Sequence, residues 1–230
     1  MVGQINKAVL FDLDGTLLDT LGDLTNAVNY LLRKYGFPER CSEEIRSYLG
    51  NGARELVRLA LPERVSEEEL DRYLEEYKIY YNAHSKIETK PYDGIIDLLK
   101  RLRARGIRTA VVSNKPDLAT RILCDEYFGE LIDFALGDKA DIKRKPDAAP
   151  VRFAMEKLNC SAAVYVGDSE VDVMTAKNAG IPCISVTWGF RDRDFLAERE
   201  AEFFADDVKE LEKYALTLLE TEEKDASKGI

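Results

Sequence analysis

The chain has 230 residues and a formal net charge of −10 at pH 7, because 43 acidic side chains outnumber 33 basic ones. This length allows one large domain or two smaller ones. The acidic balance argues against nucleic acid as the main ligand, since phosphate backbones select basic surfaces. It does not exclude a small anion, because one bound cation or a few lysines can reverse the field inside a pocket.

The cysteines and the apolar segments limit the cellular compartments that the sequence is consistent with. Four cysteines are widely spaced and form no CxxC pair, which is typical of a reduced cytosolic protein. No segment approaches the ~20 apolar residues that span a bilayer, and the first residues do not resemble a basic leader. We therefore expect a cytoplasmic protein with neither membrane nor nucleic acid as a partner.

Apolar runs alternate with helical patterns along most of the chain. The predicted strands are residues 8–11, 109–112, 132–136, 164–166, 183–186 and 203–205. The helical patterns between them are residues 94–105, 115–127, 147–158 and 169–179. Strands separated by single helices predict an α/β fold with a doubly wound parallel sheet, a Rossmann-like core. In such sheets, ligands bind beyond the carboxyl ends of the strands.

Residues 20–90 break this alternation, because they contain no convincing strand. They read as four helices at residues 21–35, 42–49, 51–61 and 66–84, and Ser42 and Ser66 both precede acids, as helix N-termini prefer. We predict an α/β catalytic core formed by residues 1–18 and 91–221. An inserted α-helical cap domain would take residues 19–90, and a flexible, charged tail would take residues 222–230.

The first strand is followed by Asp12, Asp14 and Asp19. Side chains two residues apart on a strand point the same way, so Asp12 and Asp14 should face one cavity, with Gly15 letting the chain turn. Either acid alone could equally be a solvated loop residue or a helix cap. Asp19 lies just before the helical segment, and we interpret it as a cap or hinge anchor.

Two further strand ends offer groups for an anion. Ser113 and Asn114 can donate hydrogen bonds to a phosphate-like oxygen, although either could instead cap the next helix. Lys145 precedes a proline, which restricts its backbone to extended conformations and could aim its charge inward. The alternative is a solvated basic run that includes Lys143.

The fourth strand is followed by Gly167 and Asp168, with Asp172 one helical turn later on the same side. Two aimed carboxylates suit a hard cation such as Mg²⁺. Acids also stabilise helix N-termini through the dipole, which is the alternative role for Asp172. Together, the four strand ends predict a pocket of carboxylates, a fixed cation and hydrogen-bond donors. That combination suits phosphoryl transfer.

The D-x-D-G-T pattern at residues 12–16 and the G-D-x-x-x-D pattern at residues 167–172 resemble the haloacid dehalogenase-like hydrolase superfamily. The resemblance covers roughly residues 7–215 and is to the branch with a helical cap after the first strand. Within it, the chain is most similar to phosphoglycolate phosphatases, through LGNGA at 49–53, PYDG at 91–94 and TWGF at 187–190. Ala148 and Asp93 stand where related enzymes often have proline.

The resemblance implies roles for the acids. Asp12 would be the nucleophile that forms an aspartyl-phosphate, and Asp14 the general acid/base. Mg²⁺ would be held by Asp12, the backbone carbonyl of Asp14 and Asp168. Asp172 would support the ion directly or through water.

The resemblance also implies a set of substrate-binding residues. Ser113, Asn114 and Lys145 would bind the phosphoryl oxygens, and Lys145 would keep Asp12 ionised. Thr16 matches a position where phosphatases of the family carry a small β-branched residue, and we place it in the same set.

The cap would recognise the rest of the substrate. Arg54, with backbone amides after Gly50, could meet a carboxylate, although a tight turn with a solvated Arg54 is an equal alternative. His84 matches a histidine of the phosphoglycolate branch, or is merely solvated or capping.

The resulting hypothesis is a Mg²⁺-dependent phosphomonoesterase that acts on a small organic phosphate, with 2-phosphoglycolate as the leading candidate substrate. A broad sugar-phosphate phosphatase, a pyrophosphatase or a phosphosugar mutase would use the same core. A receiver-like phosphorylation module is the non-enzymatic alternative. The expected partner is a small-molecule phosphate ester, and the expected assembly is a monomer or homodimer.

Overall fold

The computed structural model describes residues 6–228, in which strands and helices alternate as predicted. The strands in this range are β1 (Lys7–Phe11), β2 (Leu18–Asp19), β3 (Lys90–Pro91), β4 (Arg108–Pro116), β5 (Phe134–Asp138), β6 (Ala162–Gly167), β7 (Cys183–Val186) and β8 (Phe203–Ala205). The α-helices are α1 (Leu21–Lys34), α2 (Ser42–Tyr48), α3 (Gly52–Ala60), α4 (Glu67–His84), α5 (Ile95–Ala104), α6 (Asp117–Tyr127), α7 (Ala149–Leu158), α8 (Glu170–Ala179), α9 (Arg193–Ala197) and α10 (Val208–Lys228).

Six strands form one parallel sheet in the order β5-β4-β1-β6-β7-β8. β1 lies in the centre, where Phe11 pairs with Val111 of β4 and Val166 of β6. The chain segments that leave these three strands therefore emerge side by side at one edge. The predicted α/β fold with a doubly wound parallel sheet is confirmed.

Both faces of the sheet are covered, as parallel sheets require. On β1, Val9 and Phe11 pack with α5, α6 and α10, whereas Ala8 and Leu10 pack with α7 and α8. All four side chains are fully buried. This alternation explains why β1 reads as a continuous apolar run, and it makes the central strand a rigid base for the acids that follow it.

Helices α1–α4 pack around an apolar core of their own. Tyr73, Tyr77 and Tyr81 of α4 follow helical spacing and are buried in it. Ala119 and Phe190, which lie outside residues 19–90, complete this core. The core of the four helices therefore continues into residues of the sheet domain. The exact domain boundaries stay a prediction.

A short antiparallel ribbon of β2 and β3 joins the helical insertion to the core. Asp19 pairs with Lys90 in this ribbon, and its Oδ1 lies 3.4 Å from the Leu21 amide at the start of α1. This placement agrees with the interpretation of Asp19 as a hinge anchor. The sequence analysis missed the ribbon because each of its strands has only two residues.

Two other differences concern helix boundaries. A helix was predicted to begin at residue 115, and this is wrong, because β4 continues to Pro116, which pairs with Asp138 and precedes α6. The C-terminal helix α10 was not predicted, although Leu211, Ala215 and Leu219 follow helical spacing and are buried. The expected tail at 222–230 is helical up to Lys228, and residues 229–230 lie outside the described residues.

No helix within residues 6–228 has the length and apolar character needed to cross a membrane.

Asp23, in the first turn of α1, fixes the returning chain. Its buried carboxylate accepts hydrogen bonds from the backbone amides of Ile87, Glu88 and Thr89, at 2.9–3.1 Å. These amides immediately precede β3. One side chain therefore anchors the end of the helical insertion to its beginning.

We expect Asp23→Ala to lower the free energy of unfolding by about 2 kcal/mol, because hydrogen bonds to a charged acceptor contribute ~1.5–3 kcal/mol and the buried Thr89 amide would lose its acceptor. Equilibrium urea unfolding measures this. The matched control is Asp97→Ala, which removes an exposed acid from the first turn of α5. This control should change stability by less than ~0.5 kcal/mol. Equal effects of the two substitutions would show that the Asp23 network contributes nothing specific.

Candidate active site

The C-terminal end of β1 carries Asp12 and Asp14 on a tight turn. The Asp12 amide donates to the Val166 carbonyl at 2.8 Å, so Asp12 extends the strand edge, and it is only 7% exposed. Gly15 has a left-handed φ of 81°, and a Cβ there would collide with the Asp168 carboxylate. The turn therefore requires glycine, and it brings Asp12 and Asp14 to one cavity.

Lys145 is a buried cation between two acids. Its Nζ lies 3.0 Å from Asp12 Oδ1 and 2.7 Å from Asp172 Oδ1, and it donates to Tyr165 Oη at 3.0 Å. Because an unpaired buried ammonium is costly, these partners fix its position. Lys143 is exposed instead. Of these two lysines, the structure therefore brings Lys145, which the sequence analysis preferred, into contact with the acids.

Asp168 and Asp172 are both buried, and other groups fix their orientation. Asp168 accepts hydrogen bonds from Thr16 Oγ1 at 3.0 Å and from the Phe190 amide at 2.7 Å. Asp172 Oδ2 accepts from the amide and hydroxyl of Ser169, at 3.0 and 2.6 Å. Asp172 therefore also caps α8, the alternative role raised from the sequence, while its other oxygen holds Lys145.

Thr16 lies behind this cluster and not on its open side. It is fully buried, and its hydroxyl is occupied by Asp168, while its carbonyl accepts from Trp188 Nε1 at 3.1 Å. The structure therefore does not bring the Thr16 side chain to the cavity wall, and the expectation that it contacts substrate stays a prediction. Thr16 positions Asp168.

Ser113 and Asn114 lie at the end of β4, beside Asp12. A hydrogen bond from Ser113 to the Asp12 carboxylate opposes the rise in the pKa of that carboxyl. Asn114 Nδ2 donates to the carbonyls of Gly50 and Lys145, each at 3.1 Å. Asn114 therefore joins the helical insertion to the loop that carries Lys145, and neither residue caps a helix.

Carboxylate oxygens of Asp12, Asp168 and Asp172 lie within 4.8 Å of one another. Burial raises the pKa of Asp12 to about 6, although Lys145 opposes this, and burial together with Asp172 raises the pKa of Asp168 well above its usual value. Asp12 Oδ1 is at ion-pair distance from Lys145, yet no described group meets hydrogen-bond geometry with it. A buried, oxygen-only set with an unsatisfied carboxylate fits a hard divalent cation.

The structure places Arg54 on the outer surface of the helical insertion. Its guanidinium donates to Glu67 at 2.7 Å and to Asp71, and it is not part of the cavity wall. Gly52 and Ala53, at the start of α3, do line the cavity. His84 stacks on Tyr80, and its Nδ1 lies 2.8 Å from the Tyr80 carbonyl, away from the acids.

The cavity wall includes Lys115, Tyr81 and Arg191, none of which the sequence analysis assigned to the site. Lys115 directly follows Ser113 and Asn114, which could have indicated a place in the site. It was instead assigned to the start of the next helix, whereas the structure places it in β4. Tyr81 belongs both to the apolar core of the insertion and to the cavity wall. Arg191 follows a late strand and carries no local motif.

Arg46 of α2 and Arg191 form a reciprocal contact between the insertion and the core. Arg191 donates to the carbonyls of Arg46 at 3.0 Å and Leu49 at 2.7 Å. Arg46 donates to the Gly189 carbonyl at 2.8 Å. The loop that supplies the Phe190 amide to the acid cluster therefore also holds the end of α2.

Comparisons with known proteins agree with this geometry. The profile of the haloacid dehalogenase-like hydrolases matches residues 9–186, which include all the acids of the cluster. The chain belongs to the haloacid dehalogenase-like hydrolases. It is 36% identical over 216 residues to phosphoglycolate phosphatase 1 of Pseudomonas aeruginosa, covering 90% of this chain and 79% of that protein.

Two further members of the family extend the comparison. A phosphoglycolate phosphatase of Agrobacterium fabrum is 32% identical over 217 residues, covering 90% of this chain and 91% of the relative. A crystal structure from Lactobacillus delbrueckii subsp. bulgaricus, provisionally named a phosphoglycolate phosphatase, aligns with a TM-score of 0.85 at 38% identity. It covers 92% of this chain and 99% of that one. The predicted enzyme class, a phosphoric monoester hydrolase, is confirmed at the level of this family and its named relatives.

The acid cluster predicts a large response to Mg²⁺ that needs no assay of activity. We expect saturating MgCl₂ to raise the midpoint of thermal unfolding above its value in EDTA by about 5–10 °C, since binding at ~100 times Kd adds about 2.7 kcal/mol. Asp168→Asn should remove most of this rise. Asp141→Asn, which neutralises an exposed acid outside the cluster, should preserve it. A rise that survives in Asp168→Asn would place the ion elsewhere.

The same experiment has a defined pH dependence. In EDTA, the pKa of Asp12 is about 6 in the folded chain against 3.8 for an ordinary aspartate. The contribution of Asp12 to stability is therefore greatest below about pH 4 and is lost as the pH rises through about 6. Since a ligand carboxyl must be deprotonated, we expect a smaller Mg²⁺-induced rise at about pH 5 than at about pH 7.5. An equal rise at both pH values would contradict a Mg²⁺ site that includes Asp12.

Proposed function

We propose that this hydrolase is a Mg²⁺-dependent phosphomonoesterase that acts on 2-phosphoglycolate through an aspartyl-phosphate. The observation that carries the proposal is the pairing of Asp12 with Lys145 at the end of β1, with Asp14 two residues later on the wall of the same cavity. The two acids, Asp12 and Asp14, would supply a nucleophile and a proton-transfer group for one phosphorus atom.

In the first step, an Asp12 carboxylate oxygen attacks phosphorus and the ester P–O bond breaks. The bonding electron pair leaves on the substrate oxygen, and that oxygen takes the proton of the Asp14 carboxyl group. In the second step, water attacks phosphorus, Asp14 accepts a proton from the water, and the Asp12–phosphorus bond breaks. Inorganic phosphate leaves, and both acids return to their starting states.

The surrounding residues hold the reacting groups in place. Lys145 would keep Asp12 anionic and bind the phosphoryl oxygens, and the Ser113 hydroxyl, which hydrogen-bonds the Asp12 carboxylate, would be a further donor to them. Asp12, the Asp14 carbonyl and Asp168 would hold Mg²⁺, and Asp172 would support the ion directly or through water. When bound, the ion neutralises the negative charge that crowds the transition state.

Two features support 2-phosphoglycolate as the substrate. The named relatives at 32–36% identity are phosphoglycolate phosphatases. The cavity wall contributed by the helical insertion is also largely apolar, and includes Leu24, Leu49, Leu56 and Tyr77. Such a wall offers few partners for the hydroxyl groups of a sugar phosphate, which a specific site must hydrogen-bond. We place this reaction in the cytoplasm and expect a monomer or homodimer.

Phosphate release tests the proposal, with Mg²⁺ and a panel of 2-phosphoglycolate, sugar phosphates, pyrophosphate and p-nitrophenyl phosphate. We expect kcat/KM for 2-phosphoglycolate to exceed the others by at least ~10-fold, which corresponds to ~1.4 kcal/mol of transition-state discrimination. A flat profile would indicate a broad phosphatase. Retention of the phosphoryl group on the substrate would indicate a mutase, and a single phosphorylation without turnover would indicate a receiver.

Asp12→Asn tests the covalent route. We expect kcat to fall by at least ~10³-fold, because the substitution removes the nucleophile. The fold should persist, as checked by thermal unfolding. Asp141→Asn is again the control and should retain activity. Substantial turnover by Asp12→Asn would show that Asp12 is not the nucleophile.

A further inference from the structure

Lys115 is a buried cation in direct contact with Asp14. It is 5% exposed, and its Nζ lies 2.9 and 3.0 Å from the two carboxylate oxygens of Asp14. It also donates to Tyr81 Oη at 2.7 Å and lies 4.4 Å from the centre of the Tyr81 ring. Lys115 comes from the core strand β4 and Tyr81 from helix α4 of the insertion. The ammonium therefore lies where core and insertion meet around Asp14.

The acid cluster already has its own cation. Lys145 lies between Asp12 and Asp172, so Lys115 is not required to neutralise these two carboxylates. A buried ammonium is costly to desolvate and needs strong partners. Asp14 is one such partner, but it is also the group that must contact the substrate. This arrangement places a fixed positive charge directly beside the leaving group.

Other cations around the cavity are less suited to this position. Arg191 is engaged by Glu170 at 3.0 Å and by the carbonyls of Arg46 and Leu49. Lys78 lies at the rim with 38% of its side chain exposed and with Glu75 3.7 Å away. Arg54 lies outside the cavity wall. Of the cationic side chains that line the described cavity, Lys115 is the buried one next to the general acid.

The size of 2-phosphoglycolate makes this position decisive. One methylene group separates its ester oxygen from its carboxylate carbon. Asp14 must come within ~2.6–3.2 Å of the ester oxygen to protonate it. The substrate carboxylate would then lie within a few ångströms of Asp14, which is within reach of the Lys115 ammonium. A carboxylate reader more than a few ångströms from Asp14 would be out of reach for so short a substrate.

We infer that Lys115 binds the carboxylate of the substrate, sharing its ammonium between that group and Asp14, with Tyr81 holding the ammonium in place. This inference rests on the proposed function and assigns the specificity of that function to one residue. An ammonium group has three hydrogens, and the two Asp14 oxygens and Tyr81 Oη accept them here, so a substrate oxygen would replace one of the two Asp14 oxygens. The site thus selects phosphates that carry a carboxylate on the adjacent carbon.

Paired substrates test the assignment. 2-Hydroxyethyl phosphate has the same length as 2-phosphoglycolate, with a neutral hydroxymethyl group in place of the carboxylate. We expect Lys115→Met to lower kcat/KM for 2-phosphoglycolate by about 10–100-fold more than for 2-hydroxyethyl phosphate, with the selective part in KM. Lys115→Gln keeps a donor near Asp14 and Tyr81 without the charge, and should show the same selective loss. Lys86→Met, which removes a lysine paired with Glu126 on the surface, is the matched control.

A binding measurement separates recognition from turnover. In the Asp12→Asn background with Mg²⁺, isothermal titration with 2-phosphoglycolate should show about 10–100-fold weaker binding when Lys115→Met is added. Thermal unfolding of each variant shows whether it is folded. Should Lys115→Met fail to fold, Lys115→Gln provides the same comparison.

The outcomes distinguish this inference from the proposed function. If the unsubstituted enzyme hydrolyses 2-phosphoglycolate well and Lys115 variants lose both paired substrates equally, Lys115 acts only through Asp14 and the inference is overturned. A selective loss in Arg54→Ala in place of the Lys115 variants would also overturn it, and would return carboxylate recognition to α3. If the unsubstituted enzyme does not hydrolyse 2-phosphoglycolate, the proposed function fails and the inference fails with it.

Discussion

The rest of this structure depends on one constraint, the close approach of three buried carboxylates, of which two contact a single buried ammonium. Asp12, Asp168 and Asp172 would repel one another in an apolar interior, and Lys145 offsets only part of that repulsion. The central strand, the helix cap of α8 and the amide of Phe190 each fix one of these groups. The fold thus stabilises an arrangement of charge that the residues alone would not adopt.

Much of this arrangement could be predicted from the sequence because it is local. The apolar run before Asp12 and the two-residue alternation locate a strand end, and the same holds for Gly167 and Asp168. Parallel topology then brings strand ends together without any knowledge of side-chain contacts. The four helices of the insertion are equally readable, since their apolar spacing and caps lie within single segments.

The remaining features depend on partners that are distant along the chain. The two-residue strands of the hinge ribbon have no detectable period, and only their pairing with each other defines them. The hydroxyl of Thr16 donates to Asp168, which is 152 positions away, and no local pattern predicts that contact. Arg54 is adjacent to a loop that does line the cavity, but its side chain is bound by Glu67 and Asp71 and is not part of the cavity wall. Lys115 was missed because the helix was predicted to begin two residues before the observed start of α6, and sequence patterns locate the ends of elements least reliably.

The reciprocal contact of Arg46 and Arg191 bears on how such an enzyme could acquire a new specificity. The helical insertion looks like a module that could be exchanged for another, since it enters and leaves through a two-stranded ribbon. Yet Arg191 holds the end of α2 from the same loop whose Phe190 amide orients Asp168. A transplanted insertion without an equivalent of Arg46 and of the carbonyls at the end of α2 would remove the hydrogen bonds that hold that loop. Successful grafts should therefore carry residues 187–192 together with the insertion, so that the natural unit of exchange is discontinuous in sequence.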